Sequence, residues 1–239
     1  MPFFWHSGAF RYFLFILTLG LFFMAPPCAA PMPITVNELG GVFKIEYNRV
    51  FAHCFEFEAN GGVEILRVFN LEGGISVGSL GPNVDFNAYA LAGIQPLFFI
   101  PLKFNINYIH NNIPDFKVST HSIIPYISWE GQRLGLSLGA NFRYTLFNYE
   151  APIDESIFVF SLYLNLVNNQ RLKLGLRYAN FNNFLSGNMG SYSLSLYSTV
   201  HLVGILYLRN DFELLQTGSV GLVANFYGIS YKGGMVLRW

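Results

Sequence analysis

Between Arg133 and Phe147 the chain reads RLGLSLGANFRYTLF. Every second residue from Leu134 onward (Leu134, Leu136, Leu138, Ala140, Phe142, Tyr144, Leu146) is apolar or aromatic. The residues between them (Arg133, Gly135, Ser137, Gly139, Asn141, Arg143, Thr145) are small, polar or charged. A β-strand sends successive side chains to opposite faces, so this pattern makes one apolar face and one wet face. A helix would scatter the leucines around its whole circumference. At about fifteen residues the segment is long beside the five or six of an ordinary globular strand. Length and facial contrast together suit a barrel strand that crosses a bilayer, apolar outside and polar within.

The same unit recurs along the chain. Phe43, Ile45 and Tyr47 oppose Lys44 and Glu46, and Phe55 and Phe57 alternate with Cys54, Glu56 and Glu58. Asn60-Gly61-Gly62 carries turn chemistry. After it, residues 63–78 read as one long strand, with Ile65, Phe69, Leu71, Ile75 and Val77 on the apolar side. Arg67 breaks that pattern, which calls for a bulge or for a side chain reaching a membrane surface. Turns are predicted at 81–83, 130–132, 168–170 and 209–211, and loops at 111–115, 150–154 and 182–190. Pro96 and Pro101 mark a bend. The final strands are predicted near 212–227 and 229–239. Short connections with no helical period between them predict antiparallel hairpins throughout. The fold class is an all-β antiparallel transmembrane barrel over residues 31–239. It has an even strand number, about ten to twelve, with eight as the smallest solution.

Composition sharpens this picture. Charged residues make up only 12% of the 239-residue chain and aromatics 18%. Lysines plus arginines equal aspartates plus glutamates, so no partner such as nucleic acid is implied. One helix-like apolar run exists, at 12–25. Arg11, the apolar core FLFILTLGLFFMA and the small-residue end PPCAA read as a signal peptide over 1–30, cut after Ala30 or Ala29. A retained anchor would need a longer core. A lipidated Cys28 would need a Leu and small-residue box before it, where Ala-Pro-Pro stands. Removal of the leader leaves Cys54 alone, without an internal disulfide partner.

Chemistry-bearing residues are few. His110 and His121 flank one loop with only Asp115 nearby, short of a metal-ligand set. Ser122 adjoins His121 and Ser198 stands near His201. Neighbours on a strand point to opposite faces, so neither couple makes a nucleophile and base. The expectation is a non-enzymatic chain without cofactor or metal. The predicted inward charges say more. Glu46, Glu56, Glu58, Glu64, Glu72 and Asp85 form an acidic arc in the early strands. Lys103, Arg133, Arg143, Arg171, Lys173, Arg177, Lys232 and Arg238 form a basic arc in the later ones. Closure of the barrel sets one arc against the other. In a narrow barrel the two would pair and fill the interior. In a wider one, water between them would carry a transverse field favouring polar or zwitterionic solutes.

The leader, the alternating strands and the last segment, YKGGMVLRW, together resemble the small outer-membrane β-barrel proteins of double-membraned bacteria. Tyr231, Met235, Leu237 and the terminal aromatic Trp239 look like the sorting signal read by barrel-assembly machinery in that class, where terminal Phe is commoner. Tyr47, Trp129, Tyr144, Tyr178 and Trp239 fit its two aromatic girdles. The resemblance implies residence in the bacterial outer membrane, with outer-membrane lipid and the assembly machinery as partners. The first functional reading is a small pore or transport channel for small polar solutes or hydrophobic ligands. A structural or adhesin-like barrel with a filled interior, meeting a surface ligand through its loops, is the second reading. A periplasmic lipid-binding barrel is the third, opposed by the large apolar belt it would expose to water.

Overall fold

The structure, a computed structural model, describes residues 35–48, 54–66, 68–79, 84–96, 100–148, 151–180, 191–217 and 226–239. The predicted leader at 1–30, Arg67, the turn at 81–83 and the loop at 182–190 lie outside these residues. Twelve strands follow one another: β1 Thr35–Asn48, β2 Cys54–Ile65, β3 Phe69–Ser79, β4 Asp85–Ile94, β5 Leu102–Ile113, β6 Val118–Glu130, β7 Leu134–Phe147, β8 Ile153–Asn168, β9 Leu172–Ala179, β10 Ser191–Val203, β11 Leu206–Thr217 and β12 Phe226–Arg238. Each pairs antiparallel with its sequence neighbours. β12 pairs back onto β1, from Glu38↔Arg238 to Asn48↔Gly228, so the sheet closes on itself. Closure satisfies the backbone N–H and C=O groups that an open edge would expose to hydrocarbon. Apart from a single 3-10 turn at Pro114–Phe116, no helix occurs among the described residues.

Alternation decides the two faces. On β7, Leu134, Leu136, Leu138 and Phe142 point outward and are 36–52% exposed, while Gly135, Asn141 and Thr145 are buried within. Phe158, Leu162, Leu164 and Leu166 continue the outer belt on β8, and Leu71, Ile75 and Val77 do so on β3. An outer face this apolar is the pattern of a barrel wall that faces hydrocarbon. Trp129 and Trp239 sit at one end of this belt, and Tyr144 and Tyr178 near the other.

The two ends differ in their connections. At one end the hairpins close at 66–68, 131–133, 169–171 and 204–205, with a longer link at 95–101. The start of β1 and the end of β12 lie there too. The other end carries the longer connections, including 180–190 and 218–225. We call these the short-turn end and the long-loop end.

Two predicted turns prove to be strand. Asn60-Gly61-Gly62 lies inside β2, paired with Gly40, Leu39 and Glu38. The reversal comes six residues later, where Leu66 takes a left-handed φ of 53° and Val68 N–H donates to Ile65 C=O at 3.0 Å. Residues 63–78 are therefore a hairpin and not one strand. Arg209-Asn210-Asp211 lies inside β11, and the reversal before it is at Gly204, with φ 56°. Asn210 reads as a turn residue because it puts an amide on the apolar face. There it accepts from the Tyr231 hydroxyl at 2.8 Å and donates to Ser198 Oγ at 3.4 Å, so the strand runs on.

Candidate functional site in the barrel lumen

The inward face of the twelve strands forms one continuous wall, and its chemistry divides by strand. On β9 to β12 the wall is an ion network. Arg177 Nη2 donates to Asp211 Oδ2 at 2.7 Å and to Glu213 Oε1 at 3.1 Å, and its guanidinium also reaches Ser195 Oγ. Lys232 Nζ meets Glu213 from the other side at 3.2 Å. Glu213 is 1% exposed, Asp211 5% and Lys232 8%. Buried Lys232 and half-buried Arg177 thus neutralise two buried anions, which is the condition for holding those carboxylates away from water.

On β1 to β3 the charges continue in smaller groups. Lys44 pairs with Glu56 at 3.4 Å, Glu56 accepts from Ser76, and Asn87 donates to Ser76 Oγ at 3.1 Å. Glu72 accepts from the Tyr89 hydroxyl at 2.9 Å, and Glu58 from Asn60 at 2.9 Å. Arg238 meets Glu38 at 2.6 Å across the closing seam.

On β4 to β8 the wall is neutral over most of its length. Tyr89, Leu91, Ile109, Ile124, Tyr126 and Val159 form one buried apolar cluster facing inward. Around it, Asn105 donates to Ser128 at 3.0 Å and Asn111 to Thr120 at 3.3 Å. Charges on these strands stand towards the ends: Lys103 with Glu130 at 3.3 Å and Glu64 at 3.8 Å, and Arg143 with Glu155.

Glycines set the free space. Gly135 faces Tyr163 across the β7–β8 pair, and Gly175 faces Tyr197 across β9–β10. A Cβ at either position would run into the tyrosine ring, so each ring lies against bare backbone on the wall. Two adjoining cavities occupy the lumen towards the short-turn end, of about 560 and 670 Å3. They share Glu38, Tyr163, Arg177 and Arg238. The smaller is lined by Glu64, Glu72 and Glu130 and ends against Leu91 and Tyr126 of the apolar cluster. The larger is lined by Lys173 and Arg209 together with His201, Tyr197 and Tyr207. Farther towards the long loops, Ser122, Ile124, Val159, Ser195, Glu213 and Ser230 are at most 2% exposed. The lumen is therefore a charged vestibule backed by a packed layer.

The predicted lumen residues distribute unevenly over this site. Glu56, Glu58, Glu64, Glu72, Asp85, Lys103, Arg143, Lys173, Arg177, Lys232 and Arg238 lie at inward strand positions. Arg133 and Arg171 do not: they stand exposed in the turns at 131–133 and 169–171, one position before strands β7 and β9 begin. Glu46 lies on β1 opposite Ser230, and its side chain is outside the described part. Most ion pairs run along the wall, while Lys103 with Glu64 joins a member of the predicted basic arc to one of the acidic arc. Arg143 meets Glu155 on the adjacent strand, and Arg177 meets Asp211 and Glu213 two strands away. Asp211 is missing from the expected set because the predicted turn at 209–211 takes it off a strand, and Glu213, inside the strand predicted near 212–227, is not among the inward charges expected there. The alternation Leu208, Phe212, Leu214 against Arg209, Asp211, Glu213 is the signal that restores them. Cys54 lies on β2. His110 and His121 are cross-strand partners with ring centroids 4.6 Å apart, and the Tyr108 hydroxyl meets His121 Nδ1 at 2.8 Å. Among the described residues, no group of three metal-ligating side chains comes together. Of the predicted assembly signal, Tyr231, Met235 and Trp239 are 40%, 60% and 55% exposed, and Leu237 lies on the same face of β12 as Met235.

No protein-family model matches the chain, and no curated protein is similar to it in sequence. Solved structures are similar in fold. The NanC porin matches with a TM-score of 0.55 at 10% identity, over 83% of this chain and 98% of that one. The translocator domain of the autotransporter NalP from Neisseria meningitidis matches with 0.53 at 10% identity, over 97% and 98%. An outer membrane channel from Pseudomonas putida F1 matches with 0.51 at 10% identity, over 88% and 97%. At these identities the likeness is one of fold: the chain has the architecture of outer-membrane β-barrels.

Proposed function

We propose that the protein resides in the bacterial outer membrane and serves as a narrow channel for small polar solutes. The observation that carries this reading is the pair of adjoining charged cavities inside a closed, lipid-facing barrel. A barrel that served only as a scaffold has no need of a vestibule lined by side chains of opposite sign, flattened against the wall by glycine–tyrosine contacts. Because barrels of this type have short periplasmic turns and longer external loops, the vestibule faces the periplasm. The packed layer faces outward and sets the size limit for passage. Two of the similar folds, a porin and an outer membrane channel, are named as conducting proteins, which agrees with this reading.

The packed layer also supports a second reading, a side-chain-filled barrel whose loops make the contacts. Planar-bilayer recording separates the two. Folded protein is expected to give discrete conductance steps, smaller than those of wide-lumen porins. Recordings that stay flat with protein verified as folded would leave the filled barrel standing and remove the channel.

A further inference from the structure

The two cavities differ in what they ask of a ligand. The larger is lined by four cations, Lys173, Arg177, Arg209 and Arg238, and by two acids, Glu38 and Asp211. Both acids are already engaged, Glu38 by Arg238 at 2.6 Å and Asp211 by Arg177 at 2.7 Å. Lys173 forms no ion pair among the described residues. Its ammonium is held instead between two rings, 5.9 Å from the Tyr163 centroid and 6.0 Å from that of Tyr197. Both distances lie within the range of a cation–π contact. The rings are fixed in turn: Tyr163 lies over Gly135, Tyr197 lies over Gly175, and the Tyr197 hydroxyl donates to Asn165 Oδ1 at 2.6 Å. The rings therefore bias where the ammonium lies before any ligand arrives, and no carboxylate among the described residues touches it directly, Glu130 acting on it only at longer range. Elsewhere on the lining, Arg238 lies 5.3 Å from the Tyr207 ring, which stacks on His201 at 4.8 Å. The cavity is thus aromatic and cationic on two sides. A cation would be repelled by this lining, and a neutral solute would leave its charge unused.

We propose that the larger cavity is a subsite for an oxyanion, the carboxylate or phosphate group of a small polar solute, with the Lys173 ammonium as its fixed contact. The ammonium donates up to three hydrogen bonds to such a group. The inference names the solute class for the channel proposed above and rests on that reading only for how the solute arrives.

The test uses the full chain in detergent micelles and isothermal titration calorimetry with gluconate, inorganic phosphate and, as a neutral control, glucose. Wild-type protein is expected to bind gluconate or phosphate in a salt-sensitive manner and to give no heat with glucose. The gluconate and phosphate arms tell carboxylate from phosphate recognition. Lys173→Gln should weaken anion binding about tenfold, the size expected for a hydrogen-bonded charge. Lys173→Arg should retain most of the binding, and Arg171→Gln, in the exposed turn, should leave it unchanged. Absence of anion binding by the wild type, or equal weakening by Lys173→Gln and Arg171→Gln, would overturn the subsite. Calorimetry needs no conduction, so the two ideas fail separately. Binding without conductance steps would remove the channel and keep the subsite, and steps without binding would do the reverse.

Discussion

The lumen wall is built in two ways that share one sequence rule. From β9 through β12 and on to β3, inward positions carry charges that answer one another, centred on Arg177, Asp211, Glu213 and Lys232. From β4 to β8, inward positions carry Asn, Ser and Thr around an apolar cluster, with charge confined to the strand ends. Both halves alternate with an apolar outer face, so lipid cannot tell them apart. The difference lies in what happens when one member is removed. A buried ion network is mutually dependent, since each charge is tolerable only while its partners remain. A packed neutral wall loses only what the missing atoms contributed.

This contrast sets the order of expected effects. Arg177→Met should be the most damaging, because it removes the one side chain that bonds both Asp211 and Glu213 directly. A loss of about 3–5 kcal/mol is expected, the usual cost of breaking a buried pair, read as a lowered urea midpoint in detergent. If Arg177→Met were neutral, the network would hold nothing. Ile124→Ala, in the middle of the neutral wall and 1% exposed, should cost about 2–5 kcal/mol through the cavity it leaves. It should also raise single-channel conductance by thinning the packed layer. Arg143→Ala breaks a pair whose Glu155 partner is 41% exposed. It should cost no more than about 1 kcal/mol, and less as salt is added. A cost equal to that of Arg177→Met would show that burial does not separate the two parts of the wall.

Much of the architecture is written in the alternation itself. Strands β7 and β9, where every outward residue is Leu, Phe, Tyr or Ala, are legible from the sequence, and the strand count falls within the range that pairing allows. The misreadings share a cause: turn chemistry serves other purposes inside a barrel. Gly61 and Gly62 are in β2, where a Cβ would lie 3.3 Å from the backbone of the neighbouring strands, while Gly135 and Gly175 make room for tyrosine rings. Asn210 mimics a turn because a polar residue on a lipid face is rare, and only the pairing of β11 with β12 brings the Tyr231 hydroxyl to it. The ion network was less legible for a different reason. Alternation says which residues face inward, not which strands lie near enough to share a charge, and Arg177 finds its acids two strands away. The tyrosine-held position of Lys173 depends on three separate hairpins and has no local signature at all.

The charged vestibule, in our proposal, belongs to a conducting path whose narrowest part is the packed layer beside Ile124 and Tyr126. Single-channel recording of the wild type beside Tyr126→Ala tests it most directly, since Tyr126 both lines the smaller cavity and belongs to the apolar cluster. The prediction is small, discrete steps for the wild type and clearly larger steps for the variant. Flat recordings from both proteins, each verified as folded, or identical step sizes in the two, would contradict it.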